Sequence, residues 1–189
     1  MPIRINAPDA PDFEPSIDLK DLMGTWYVTH STLPMWKSKK DVTITYTPVT
    51  GDVARFDDVV EYRSARAPPT APRSRIVGVD ALVTGPARFK WRGRGWLAPI
   101  TSRWQLLGVS SASGKDGTAE PAWAVTFFER TLFTPMGIDI YARSGAGLPP
   151  ALVEEIKEGL RAASGDVGRL SGELFEVEHS PLGAEGAGP

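Results

Sequence analysis

From Thr25 to Arg143 the chain swaps apolar and polar side chains at every second position, in short runs separated by turn residues. A period of two is that of a strand with one face buried. Trp26, Val28, His30 and Thr32 share one face of the first run, and Thr25, Tyr27 and Thr29 share the other. Val42 to Tyr46 alternates cleanly. Val53 to Arg63 is longer, with Phe56, Val60 and Tyr62 in one phase and Val53 and Val59 in the other. Further runs cover 75–83, 89–91, 102–109, 122–130 and 136–143. Between them lie a loop over 35–40, a turn at Thr50-Gly51-Asp52, a loop over 65–74 holding Pro68, Pro69 and Pro72, a tight turn at Thr84-Gly85-Pro86, a glycine-rich link over 92–96 and a polar loop over 110–121. Strands about ten residues apart with turn signals between them predict an antiparallel sandwich or a closed barrel.

The period then changes. Leu152, Ile156 and Leu160 recur every four residues, Pro149 and Pro150 stand at the start, and Gly165 follows the end. This predicts one helix over 149–163. Leu174 to His179 reads as a last short strand. At the other end, Pro2, Pro8, Pro11 and Pro15 predict an extended arm over 1–17, and Ser16 or Asp18 caps a helical turn over 18–23. The main unit is 18–179, and the glycine- and alanine-rich residues 180–189 are expected to be disordered.

The stretch Gly24-Thr25-Trp26-Tyr27 resembles the first motif of the lipocalins, and Ile138-Asp139-Ile140-Tyr141-Ala142-Arg143 resembles the end of their eighth strand. The strand order, trailing helix and short last strand are most similar to the bacterial-lipocalin branch, over about residues 20–179. The middle departs from the family: Ala119-Glu120-Pro121-Ala122-Trp123 stands where a Thr-Asp-Tyr is usual before the seventh strand. The resemblance implies an all-β fold, an eight-stranded antiparallel up-and-down barrel with one C-terminal helix packed outside. It also implies that Gly24, Trp26 and Arg143 form a structural motif, with the Arg143 guanidinium stacked on Trp26 at the closed end.

Composition narrows the chemistry. The 189 residues carry 21 basic and 23 acidic side chains, a formal net charge of -2, which argues against a general nucleic-acid binder. No cysteine is present, so disulfides, a thiol nucleophile and a cysteine-ligated metal are excluded. The two histidines lie far apart, so no metal set is expected, and no phosphate loop, dinucleotide glycine pattern or Gly-x-Ser-x-Gly points to a cofactor or a serine nucleophile. No apolar run reaches the length of a membrane helix, and the first twenty residues have no apolar leader core, so a cytoplasmic protein is the expectation.

A barrel of eight strands encloses room for one small ligand. In an up-and-down barrel the loops after strands one, three, five and seven form the open mouth, here 34–41, 63–75, 92–101 and 130–135. They hold Lys37, Lys39, Lys40, Arg63, Arg66, Arg73, Arg75, Arg92, Arg94 and Arg130, with Trp36 and Trp96 among them. Such placement suggests a positive mouth that draws in an amphipathic anion; the alternative is that these cations only solubilise loops. A lipid carrier docking on anionic membranes is a third reading of the same patch.

The candidate ligand-binding residues are Val28, His30, Trp36, Tyr46, Tyr62, Trp91, Trp96, Trp104, Trp123 and Phe127. Alternation alone leaves open whether Trp91, Trp104 and Trp123 line the lumen or pack outside under the helix. His30 shares the phase of Trp26 and is a candidate acid/base or ligand hydrogen-bond partner; the alternative is a structural or rim histidine. Asp57 and Glu61 share a strand face and join His30 as catalytic candidates if that face is inward; a solvated face is the alternative. His179, near a frayed end, is expected to be exposed. The leading expectation is a binder of a small hydrophobic or amphipathic molecule, with anionic and aromatic ones among the candidates. The alternative is a cofactor-independent isomerase or cyclase of the pericyclase type using the same lumen.

Overall fold

The computed structural model describes residues 3–10, 18–84, 87–110, 121–163 and 165–181. Most of the 110–121 loop, the tip of the 84–86 turn and nearly all of the 180–189 tail therefore lie outside the described residues. Asp18 accepts the Lys20 N–H and starts α1, Leu19–Leu22. Gly24 leaves it at φ +91°, a left-handed value that a side chain resists, and turns the chain into β1, Gly24–Ser31. Seven antiparallel strands follow: β2 Lys39–Val49, β3 Asp52–Ser64, β4 Ser74–Thr84, β5 Arg88–Gly93, β6 Thr101–Val109, β7 Trp123–Phe128 and β8 Gly137–Ala142. Each pairs with the next, and β1 pairs with both β8 and β2, so the sheet closes into a barrel with no free edge among these eight.

The C-terminal segment brings α2, Pro150–Ala162, α3, Asp166–Leu170, and β9, Phe175–Glu176. β9 lies on β1 at the bulge, and the Val177 N–H donates to the Thr29 carbonyl. The chain then crosses β2: Asp41, itself at φ 56°, donates its N–H to the Glu178 carbonyl and accepts from the Ser180 N–H and hydroxyl. His179 is half-buried, against the expectation of an exposed end. Its ring packs edge-on to Tyr27, and Nε2–H donates to the Val28 carbonyl at 2.9 Å.

Two apolar cores share the barrel wall. One is inside, built on Trp26, Val28, Ile44, Tyr46, Phe56, Phe89 and Trp104. The other is outside, where Ile156 and Leu160 of α2 with Val167 and Leu170 of α3 cover Trp123, Val125, Phe127, Ile138 and Ile140. Ile3 and Ile5 of the N-terminal segment pack on this outer core, and the Asn6 N–H donates to the Leu107 carbonyl. β7 and β8 are thus buried on both faces. The 35–40 loop is shorter than expected, because Pro34–Ser38 form a 3-10 turn and β2 already starts at Lys39. Among the described residues no helix is long and apolar enough to cross a membrane.

Candidate functional site

The closed end is a plug. Trp26 is 2% exposed, its Nε1–H donates to the Leu22 carbonyl at 2.8 Å, and the Arg143 guanidinium lies 3.6 Å from its ring centroid. Arg143 also donates to the Thr25 and Asp21 carbonyls, so one side chain ties α1, β1 and β8 together. Above the plug, Tyr46, Phe56, Phe89 and Trp104 fill the lower lumen. Phe89 and Trp104 stack at 4.3 Å, and Tyr46 lies parallel to Trp104 at 5.9 Å.

A cavity of about 260 Å³ remains between this aromatic floor and the mouth. Trp36, Tyr46, Trp91, Trp104 and Phe128 give it aromatic walls; Ile44, Val60 and Ile76 give it aliphatic ones; Met35, Leu97 and Phe133 come from the mouth loops. Gly78 makes the Trp91 wall possible: a Cβ there would sit 2.2 Å from the Trp91 Nε1.

The polar groups of the lumen are carboxyls, hydroxyls and indoles. Asp58 and Asp139 line the cavity, and Asp80 lies beside Asp58 on the next strand. Trp104 Nε1–H donates to Asp80 at 2.7 Å, and the Ser31 hydroxyl donates to Asp139 at 2.5 Å. One oxygen each of Asp58 and Asp80, the Tyr141 hydroxyl and the Trp36 indole nitrogen are buried without a hydrogen-bond partner. These atoms have close polar neighbours, the Trp36 indole beside Asp139, the Tyr141 hydroxyl beside Tyr46, and Asp58 beside Asp80, where one proton held between the two carboxyls serves both. Burial drives the carboxyl proton affinities. It pushes Asp139 up to about 7 against the opposing Ser31 hydrogen bond. It pushes Asp80 up to about 7 against its Trp104 hydrogen bond. Asp58 is pushed well up by burial first and by the neighbouring Asp80 charge second. Among the described residues no Lys, Arg or His lines the cavity.

The expected site residues divide between the two faces of the wall. Trp36, Tyr46, Trp91 and Trp104 line the cavity. Tyr62 packs on Trp36 at 5.8 Å, just behind it, and Val28 is fully buried in the inner core without reaching the cavity. Trp123 and Phe127 lie outside under α2. Trp96 is 86% exposed on the mouth turn.

His30 is also outside. The pairing of β1 with β8 slips between Val28 and His30, a bulge at Thr29 that reverses the phase of the strand. Ser31, not His30, therefore turns inward to Asp139. His30 sits half-buried in the field of Glu154 and Lys157 of α2 and Glu176 of β9, with burial lowering its proton affinity. Asp57 and Glu61 are on the outer face as well, paired with Arg94 at 2.5 Å and Arg75 at 3.2 Å. The three catalytic candidates thus share no site. On β3 the carboxylate that reaches the lumen is Asp58, in the opposite phase to Asp57 and the same phase as Phe56 and Val60. That phase was readable in the sequence.

The cations of the mouth loops likewise stand outside the cavity lining. Arg94 and Arg75 pair with carboxylates on the outer wall, Arg63 with buried Asp41 at 3.0 Å, and Arg92 donates to the Ala98 carbonyl. Lys37 and Lys39 lie over the rings of Phe175 and Tyr62. These six loop cations engage the barrel's outside and rim, and the charged groups that line the lumen are Asp58 and Asp139.

No family model matches the chain, and no curated protein matches it in sequence. Solved structures do match in fold. Apocrustacyanin C1 superposes with a TM-score of 0.58 at 12% identity, over 92% of this chain and 83% of that one. Insecticyanin from the tobacco hornworm Manduca sexta gives 0.58 at 12% identity, over 95% and 90%. The siderocalin Ex-FABP, described as functioning through dual ligand specificities, gives 0.55 at 12% identity, over 86% and 97%. All three are lipocalins. With its closed eight-stranded antiparallel barrel and its helix packed outside, this chain has the lipocalin fold.

Proposed function

We propose that the chain binds one small, mostly apolar molecule in the barrel lumen. The observation that carries this is the cavity of about 260 Å³, walled by Trp36, Trp91, Trp104 and aliphatic side chains and opening between the mouth loops. The shared fold with ligand-carrying lipocalins supports it. Three tryptophans on the wall provide the assay: an apolar probe that enters the lumen quenches their emission. Val60 lines the cavity from β3, and Val60→Trp fills it. Loss of quenching in Val60→Trp, with an unchanged far-ultraviolet dichroism spectrum, supports lumen binding. Equal quenching in both proteins overturns it.

One observation favours a second reading, a cofactor-independent isomerase or cyclase. Asp58 and Asp139 line the aromatic cage with Asp80 behind Asp58, and burial raises Asp80 and Asp139 to about 7. In this reading Asp58 or Asp139 gives and retakes a proton while the walls hold a flexible substrate folded. His30, Asp57 and Glu61 have no part in it. Whatever co-purifies with the protein is extracted, identified and re-incubated with wild type and with Asp58→Asn/Asp139→Asn. A product formed only by wild type supports an enzyme; unchanged ligand in both leaves the binding reading alone.

A further inference from the structure

We infer that the lumen selects an organic cation, a protonated amine carried on a compact apolar body, with its ammonium held at Asp58 and Asp139. The inference deepens the lumen-binding reading and rests on it. The lining holds two carboxyls, and a third, on Asp80, backs Asp58 from the adjacent strand. Among the described residues no cationic side chain lines the same space. The nearest charge below it, Arg143, is committed to the Trp26 ring and two backbone carbonyls at the closed end.

The unpartnered atoms agree with this. One oxygen each of Asp58 and Asp80 has no donor but the proton the pair shares, and an ammonium brings three donors in its place. The faces of Trp36, Trp91, Trp104 and Tyr46 surround the space, and aromatic faces attract cations. An anionic ligand would meet carboxylates in a medium that screens poorly. A neutral ligand gains no charge pairing and leaves the acids to hold their own protons.

The groups facing the carboxyls set a pH dependence. Asp58 meets Asp80 from β4, Trp91 from β5 and Tyr46, its cross-strand partner on β2; Asp139 meets Ser31 from β1, Trp36 from the mouth turn and Tyr141 on its own strand. Burial keeps both tyrosines neutral. As pH rises through neutrality, Asp139 and Asp80 lose protons and the lumen becomes more negative, while burial and the Asp80 charge make Asp58 hold its proton longer. An alkylamine stays protonated throughout, since its pKa is about 10.

The test uses three probes with one naphthalene body: 2-(1-naphthyl)ethylamine, 1-naphthaleneethanol and 1-naphthylacetate. Calorimetric titration into the full chain is run at pH 6 and pH 8, with Val60→Trp as the control for lumen occupancy. At the higher pH the amine binds about tenfold or more tighter than the alcohol, and the carboxylate binds weakest. The amine's lead shrinks at the lower pH. Asp58→Asn removes about tenfold of amine affinity and changes the alcohol by less than about threefold. Should that variant fail to fold, Asp139→Asn and the wild-type pH series decide the matter without it. An alcohol that binds as tightly as the amine, or a carboxylate that binds more tightly, overturns the cation inference and leaves lumen binding standing. Failure of all three probes overturns both.

Discussion

Replacing Asp139 by Asn separates the cost of a buried charge from the shape of the side chain. Asp139 is 1% exposed and accepts the Ser31 hydroxyl, whose oxygen in turn accepts the Leu33 N–H and fixes the start of the mouth turn. Asn keeps an acceptor oxygen for Ser31 and cannot ionise. In the folded chain burial raises the Asp139 pKa from 3.8 to about 7. The sign follows: the folded state binds this proton more tightly than the unfolded one. The contribution is therefore fully present below pH ~4 and is lost as pH rises to about 7. The shift is roughly three units at 1.36 kcal/mol each, about 4 kcal/mol in all, and about 2.5 kcal/mol of that falls between pH 5 and pH 8. Urea denaturation of wild type and Asp139→Asn at those two pH values gives four free energies. The other acids titrate alike in both proteins, so the difference of differences isolates Asp139. We expect the variant to gain on wild type by about 2 kcal/mol or more at the higher pH. A gap between the two proteins that stays within about 0.5 kcal/mol at both values would refute the buried-charge reasoning.

Gly78→Ala puts a methyl against the Trp91 indole and should cost about 1–3 kcal/mol, read as a lower Tm with a shifted tryptophan emission. Arg143→Lys loses the planar stack on Trp26 and the forked donation to two carbonyls; a urea midpoint corresponding to about 1–2 kcal/mol less stability is expected. Asp41→Ala removes the carboxylate that Arg63 and Ser180 both use, and should cost about 3 kcal/mol while loosening the C-terminal segment, seen as faster amide exchange at Val177 and Ser180. His30→Ala leaves lumen affinity for the naphthyl amine within about twofold, because the ring is outside; a tenfold loss by calorimetry would contradict the bulge at Thr29.

The sequence exposes the fold well and the site only in part, for a physical reason that differs from strand to strand. β2 through β5 have one face to the lumen and one to solvent, so the two-residue period survives: Ile44, Tyr46, Phe56, Asp58, Phe89 and Trp91 all point as alternation demands. β7 and β8 are covered on the outside by α2 and α3, so both phases are apolar and the period vanishes. Nothing in Trp123-Ala124-Val125-Thr126-Phe127 tells a reader which tryptophan or phenylalanine sees the lumen. Phe128 does, and Phe127 does not. β1 fails differently. Its period is clean until Thr29, where one extra residue reverses it, and His30 and Ser31 exchange faces. A one-residue slip flips every side chain beyond it. Asp58 shares its phase with Phe56 and Val60, so alternation carries it into the lumen, while Asp57 and Glu61 lie on the other phase.

The three lumen acids also explain why affinity and stability should be coupled. An apolar or amide side chain at Asp80 or Asp139 would spare the fold a burden of roughly 4 kcal/mol once the acid ionises, a large part of a typical domain's stability. A barrel that needed only a greasy core has no use for them; departures from the best-packed core belong at sites that do chemistry or recognition. A ligand that neutralises these charges binds the folded state alone and removes part of that burden, so its stabilising effect grows as the acids ionise. The amine probe should therefore raise Tm more at pH 8 than at pH 6, while the alcohol, which meets no charge, raises it equally at both. A pH-independent shift from the amine would mean that the carboxyls face the cavity without sensing its contents.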